Sequence, residues 1–238
     1  MNRRLVCLGI LLIAAGCAAT LPQTPQGNLS PRVAAPDIRV GDSWAYQFHD
    51  GYTQLPKGTL EYRVSAVQDD TVTVQVRHGD LQWAESYTRD WNWRERPMTN
   101  LQDFRYSPPY TALPFPLAAG KAWHSNVQAT DPKTGRANRV RIDGDALGWE
   151  RVKVPAGEFE ALKIRRIVYA GNFDYFRGED RIIEYDWYSP QLGQIVKQES
   201  LSEYDDTSRS CKHSRCYAVR KDWNVLELLS YRRHDGKS

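Results

Sequence analysis

No stretch of this chain carries the local signature of a familiar catalytic reaction. Gly-x-Ser-x-Gly, His-Glu-x-x-His, a glycine-rich phosphate loop and Cys-x-x-Cys are all absent, and the reactions that need those groups at those spacings lose support with them. No cofactor is expected. Carboxylates brought together from distant strands leave no local spacing, so their absence from any motif excludes nothing. A long amphipathic helix is missing too. The nearest candidate, Leu101 to Tyr106, runs at once into Pro108-Pro109 and has room for a turn or two.

Period-two patterning is present instead. Leu60, Tyr62, Val64 and Ala66 alternate with Glu61, Arg63 and Ser65, and Val72, Val74 and Val76 alternate with Thr73 and Gln75. This is the pattern of half-buried strands. Asp69-Asp70 between the two runs suits a tight turn, because aspartate accepts local backbone hydrogen bonds. The same logic recurs at Val152 and Val154, at Leu162 and Ile164, at Ile183 with Tyr185 and Trp187, and at Ile195 with Lys197. An all-β fold is expected: an antiparallel meander forming a curved sheet, sandwich or incomplete barrel.

A weak internal repeat accompanies it. Gly41-Asp42-Ser43-Trp44 matches Gly120-Lys121-Ala122-Trp123, and Val74 to Leu81 matches Val152 to Phe159. Two similar halves, about 37–96 and 117–233, are expected on that basis. Between them Pro97 to Gly120 carries five prolines, which remove ladder donors and predict a crossing segment. Its aromatics Phe104, Tyr106 and Tyr110, with Trp91 and Trp93 just upstream, have two readings. They seal the junction between halves, or they contact a lipid, glycan or peptide ligand.

The N-terminus has its own organisation. Arg3 and Arg4 precede an apolar run from Leu5 to Ala15, too short for the roughly 20 residues of a spanning helix, and Ala14-Ala15-Gly16-Cys17 closes it. This layout resembles the lipobox of a bacterial lipoprotein. The resemblance implies removal of residues 1–16, acylation of Cys17 with groups such as palmitate, and membrane attachment through lipid. Ala18, where an aspartate commonly favours the inner membrane, implies the outer membrane, with the protein facing the periplasm. From Cys17 to Pro36 the chain is small, polar and proline-rich, composition that predicts a tether of roughly 25 Å before a β-domain over 37–238.

Charge and cysteine follow from that layout. The chain has 32 basic and 29 acidic residues, and loss of Arg3 and Arg4 leaves 30 against 29. Such balance argues against a nucleic-acid partner. With Cys7 removed and Cys17 acylated, Cys211 and Cys216 remain in an oxidising compartment, where a disulfide is expected rather than a metal site through His213. Closing so short a loop contributes about 2 kcal/mol.

The acidic pairs Asp69-Asp70, Glu179-Asp180 and Asp205-Asp206 are expected at solvated loop tips. From Val152 onward the segments Val154 to Ile164, Trp187 to Lys197 and Glu227 to Tyr231 resemble an uncharacterised family of exported bacterial β-proteins, which implies a fold and no catalytic residue. The resulting expectation is a non-enzymatic lipoprotein binding an envelope component or a periplasmic or outer-membrane protein. The alternatives are a carrier of a lipid or other hydrophobic ligand and an envelope glycan or lipid hydrolase.

Overall fold

The computed structural model describes residues 31–97, 103–170, 177–206 and 217–233. Alternating residues become strands because a pleated backbone sends successive side chains to opposite faces. In order these are β1 (Ser43–Asp50), β2 (Pro56–Gln68), β3 (Thr71–His78), β4 (Leu81–Tyr87), β5 (Trp93–Pro97), β6 (Asp103–Tyr110), β7 (Ala122–Thr130), β8 (Ala137–Val154), β9 (Gly157–Ala170), β10 (Arg177–Ser189), β11 (Gln194–Asp206) and β12 (Tyr217–Arg232). Each pairs antiparallel with the next, and β12 pairs with β1. The meander therefore closes into a barrel. Closure removes the free edges that a sheet otherwise exposes to aggregation.

Leu60, Tyr62 and Val64 of β2 and Val72, Val74 and Val76 of β3 point into the core as the alternation requires. Asp69, with φ of 49°, turns the chain between them. Strand β10 reverses the expected parity. Ile182, Glu184, Asp186 and Tyr188 are buried, whereas Ile183 and Tyr185 are only half-buried. On the same face as Tyr185, Trp187 is covered by the side chains of Lys163 and Lys197, whose ammonium groups lie 4.8 and 5.2 Å from its ring. Aliphatic lysine stems shelter an aromatic on the outer face, so an apolar alternation there does not mark the core.

Two expectations about the middle and the start of the chain are corrected. Residues 103–110 form strand β6, not a crossing segment or a helical turn. Its prolines are tolerated because the ladder to β7 ends at Ser107↔Gln128, before Pro108 and Pro109. The tether, expected to run to Pro36, is already docked at Val33. Val33 exchanges backbone hydrogen bonds of 2.7 and 2.9 Å with Leu117, and both residues are buried. Apolar side chains at Val33 and Ile38 give this strap the burial that its polar neighbours lack.

The strap crosses the end of the barrel where the β10–β11 turn lies. There Gly193 has φ of 66°, and a Cβ on it would meet Pro36 at 2.9 Å. The loop from Thr111 to Lys121 fills the same end, with Ala112, Leu113 and Leu117 buried. The β8–β9 hairpin leans over it as well, Ala156 N donating to the Leu228 carbonyl of β12. The two repeat matches fall differently in this architecture. Gly41 and Gly120, both left-handed, precede β1 and β7. The valine match sets the β3–β4 turn against the β8–β9 turn, strands that run in opposite senses.

Candidate functional site

Strand β9 carries Ile164, Arg166 and Val168 on its inward side, and the arginine is fully buried. Burying a guanidinium without partners would cost several kcal/mol, so what it bonds to decides whether it can sit there. Arg166 donates from Nε to Glu184 at 2.8 Å, from Nη2 to Asp186 at 2.6 Å and from Nη1 to the Ala112 carbonyl at 3.2 Å. Tyr110 Oη donates to Glu184 at 2.9 Å, and Gln198 Nε2 to Asp186 at 2.8 Å. Burial alone would lower the Arg166 pKa, but Asp186 and Glu184 hold it well above its ordinary value. Burial likewise raises Tyr110. Both carboxylates therefore serve as counter-ions to Arg166 within one hydrogen-bonded network.

A second group lies beside it. Glu85, 2 % exposed, accepts from Trp83 Nε1 at 2.9 Å and from Tyr87 Oη, with Arg96 Nε 3.9 Å away. Burial works against the Arg96 charge, and Tyr87 and Glu85 more than offset it, so its pKa is raised. The Arg96 guanidinium lies 4.1 Å from the Trp93 ring centroid, and Trp93 stacks on Tyr110 at 4.0 Å and 7°. Trp44, Tyr46, Tyr62, Tyr87 and Trp91 complete an aromatic chamber, in which Trp44 stacks on Tyr62 at 5.4 Å. Among the described residues the free space within this chamber is about 50 Å³, and a second space beneath the strap holds about 30 Å³. Such a volume holds a few waters but no sugar ring or acyl tail.

The structure thus brings together all five aromatics singled out from the sequence. Trp91, Trp93, Phe104, Tyr106 and Tyr110 are each no more than 8 % exposed. They are wall and filling of the barrel interior, and none presents an open face. Cys17, Cys211 and Cys216 lie outside the described residues. Of the acidic pairs, Asp69-Asp70 occupies a turn as expected, whereas Asp180 sits within β10 and Asp205-Asp206 ends β11. Asp180 is there paired with Lys221 at 3.3 Å. Arg166, Glu184 and Asp186 were not anticipated; a charged residue at inward parity, as in Ile164-x-Arg166-x-Val168, was the available signal.

Outside the barrel an open trough of about 730 Å³ runs across β12, β1, β2 and β3. Its floor is made of small side chains at Ser43, Ala45 and Ser230, and longer polar side chains rise around them. Here, unlike in the interior, groups meet solvent.

No family model matches this chain, and no curated protein does. Among solved structures it is similar to a protein from Parabacteroides distasonis assigned as a lipoprotein, with a TM-score of 0.48 and 15 % identity over 84 % of this chain and 99 % of that one. It is also similar to an exported protein with YmcC-like fold from Bacteroides fragilis, with a TM-score of 0.48 and 13 % identity over 85 % and 100 % of the two chains. A third likeness is to the hypothetical lipoprotein YmcC of Escherichia coli, with a TM-score of 0.40 and 7 % identity over 81 % and 85 %.

Proposed function

We propose that this chain is a lipid-anchored protein of the bacterial envelope whose barrel is a non-catalytic binding module working through its outer surface. The observation that carries the reading is the filled interior. Among the described residues the aromatic chamber within it holds about 50 Å³, too little for a carried lipid. Of the buried carboxylates among the described residues, Glu184, Asp186 and Glu85 are each occupied by arginine, tyrosine, tryptophan or glutamine donors, and Glu203 is paired with Arg181. A hydrolase needs a carboxylate that meets both substrate and water. The anchor rests on the lipobox-like run before Cys17, and the outer membrane on Ala18. A disulfide between Cys211 and Cys216 belongs to the same reading.

Crosslinking in intact cells followed by mass spectrometry tests it. The expected result is a reproducible partner linked to outer-face residues of β12, β1, β2 or β3, together with palmitate incorporation that Cys17→Ser abolishes. Stoichiometric lipid copurifying with the Cys17→Ser protein would overturn the binding-module reading in favour of a carrier.

A further inference from the structure

We propose that the trough on the outer face of β12, β1, β2 and β3 binds an anionic glycan, a saccharide chain that bears carboxylates. The inference rests on the reading that the barrel works through its outer surface, and it supplies the ligand class.

The register builds the site. Ser43 on β1 lies opposite Arg63 on β2 and opposite Arg232 on β12. Side chains directly opposite on one face of an antiparallel pair stand roughly 5 Å apart. Two arginines therefore flank a serine, one on either side. In the next row the small residues Ala45 and Ser230 lie side by side, with Glu61 rising on the β2 side. The result is a trough with a low floor and charged walls.

Charge then selects the ligand. The lining holds Arg63, Arg77 and Arg232 against one acid, Glu61. Arg77 is engaged with Glu61 at 2.5 Å, whereas Arg63 and Arg232 make no ion pair or side-chain hydrogen bond among the described residues. A guanidinium presents a planar fork that matches a carboxylate with two parallel hydrogen bonds. Ser43 stands between the two arginines, and Gln75 on β3 lies on the other side of Arg63, with Thr59 and Gln82 further along the lining; these hydroxyl and amide groups suit sugar hydroxyls. The volume of about 730 Å³ falls within the roughly 300–1,000 Å³ of ligand clefts. A flat bilayer cannot enter such a trough.

Titration calorimetry on the purified full chain decides the matter, with a trigalacturonate as probe and its fully methyl-esterified form as the neutral counterpart. The expected result is binding of the acid form that weakens with salt, and little binding of the ester. The double variant Arg63→Gln/Arg232→Gln loses affinity on the order of tenfold or more, the effect of two charge-assisted hydrogen bonds. Ser43→Trp, which fills the floor without touching charge, also abolishes binding. Lys153→Gln, the loss of one positive charge elsewhere on the surface, leaves it unchanged.

Thermal melts that match the parent exclude misfolding of these exposed-site variants. Equal binding of acid and ester, or no binding of either, overturns the glycan assignment. Equal or tighter binding of polyaspartate or of phosphatidylglycerol vesicles overturns it as well. A protein crosslinked at the trough without saccharide binding would sink this inference and leave the binding-module reading standing.

Discussion

The two sides of the barrel are held by different means. From β8 to β12 the strands are 13 to 18 residues long and their ladders are nearly continuous, as in Val140↔Ala170 through Val154↔Gly157. From β4 to β7 the pairing is thin. Strands β4 and β5 meet at Ser86↔Glu95 and Tyr87↔Trp93, and β6 meets β7 from Arg105↔Thr130 to Ser107↔Gln128. The thin side is where the aromatic rings gather: Trp93 contacts Tyr106, Tyr110 and Arg96. Side-chain packing there supplies cohesion that backbone pairing supplies elsewhere. It also explains why proline is tolerated in β6, where few ladder bonds exist to be lost.

Arg166 joins the two sides, since it holds Glu184 and Asp186 on β10 and reaches Ala112 and Trp93 on the thin side. Its loss should give an effect as large as any single substitution considered below. Arg166→Met leaves two buried carboxylates without their counter-ion and is expected to cost about 3–5 kcal/mol in urea unfolding. Adding Glu184→Gln and Asp186→Asn should return a substantial part of it. A triple variant no more stable than Arg166→Met would contradict the counter-ion account.

Next, Trp93→Ala is expected to cost about 3–5 kcal/mol, against about 1 kcal/mol for Ile164→Val on the well-laddered side. Hydrogen exchange should sharpen the contrast, with amides of β4 to β7 exchanging ahead of those shared by β9 and β10. Uniform protection around the barrel would erase the distinction between the two sides.

A smaller effect is expected at Gly144, where an added Cβ would lie 2.2 Å from the Trp123 ring that covers it. Gly144→Ala forces that ring to shift and should cost about 1–3 kcal/mol. Trp123→Leu, by opening the space, should make Gly144→Ala milder in a double-mutant cycle.

The smallest concerns pH. Hydrogen bonding from Trp187 Nε1, aided by Lys163, holds the Glu150 carboxyl below its ordinary range despite some desolvation. A depressed folded-state pKa stabilises at pH above the unfolded value, about 4.3, and that contribution disappears as pH falls through the folded value. Glu150 is 45 % exposed, so solvent screening leaves a few tenths of a kcal/mol. Glu150→Gln should therefore melt slightly lower than the parent at pH 7 and together with it near pH 3. A difference that persisted at low pH would trace to packing against Trp187 instead.

How much of this was legible in the sequence depended on what each residue faces. The β2 and β3 runs were read with correct parity, since valine and leucine inside alternate there with charged and polar groups outside. Strand β10 misled because lysine stems shelter Tyr185 and Trp187 on the outer face, while its inward positions carry Glu184 and Asp186. Those acids are intelligible only beside Arg166, a residue 18 and 20 positions away in the chain. The five aromatics were recognised as a group, but no local spacing distinguishes a ring that lines a cleft from one that fills a barrel. The trough arises from register across β12, β1 and β2, and no single strand carries its signature.

The pairing of Val33 with Leu117 bears on how the barrel carries mechanical load. Among the described residues, a pull applied at residue 31 meets two backbone hydrogen bonds, of 2.7 and 2.9 Å, and the buried Val33 and Ile38 side chains. The strand ladders lie behind that contact. Tension would thus enter through the loop that plugs one end, so the strap can peel away as a fuse while the twelve-strand wall stays intact.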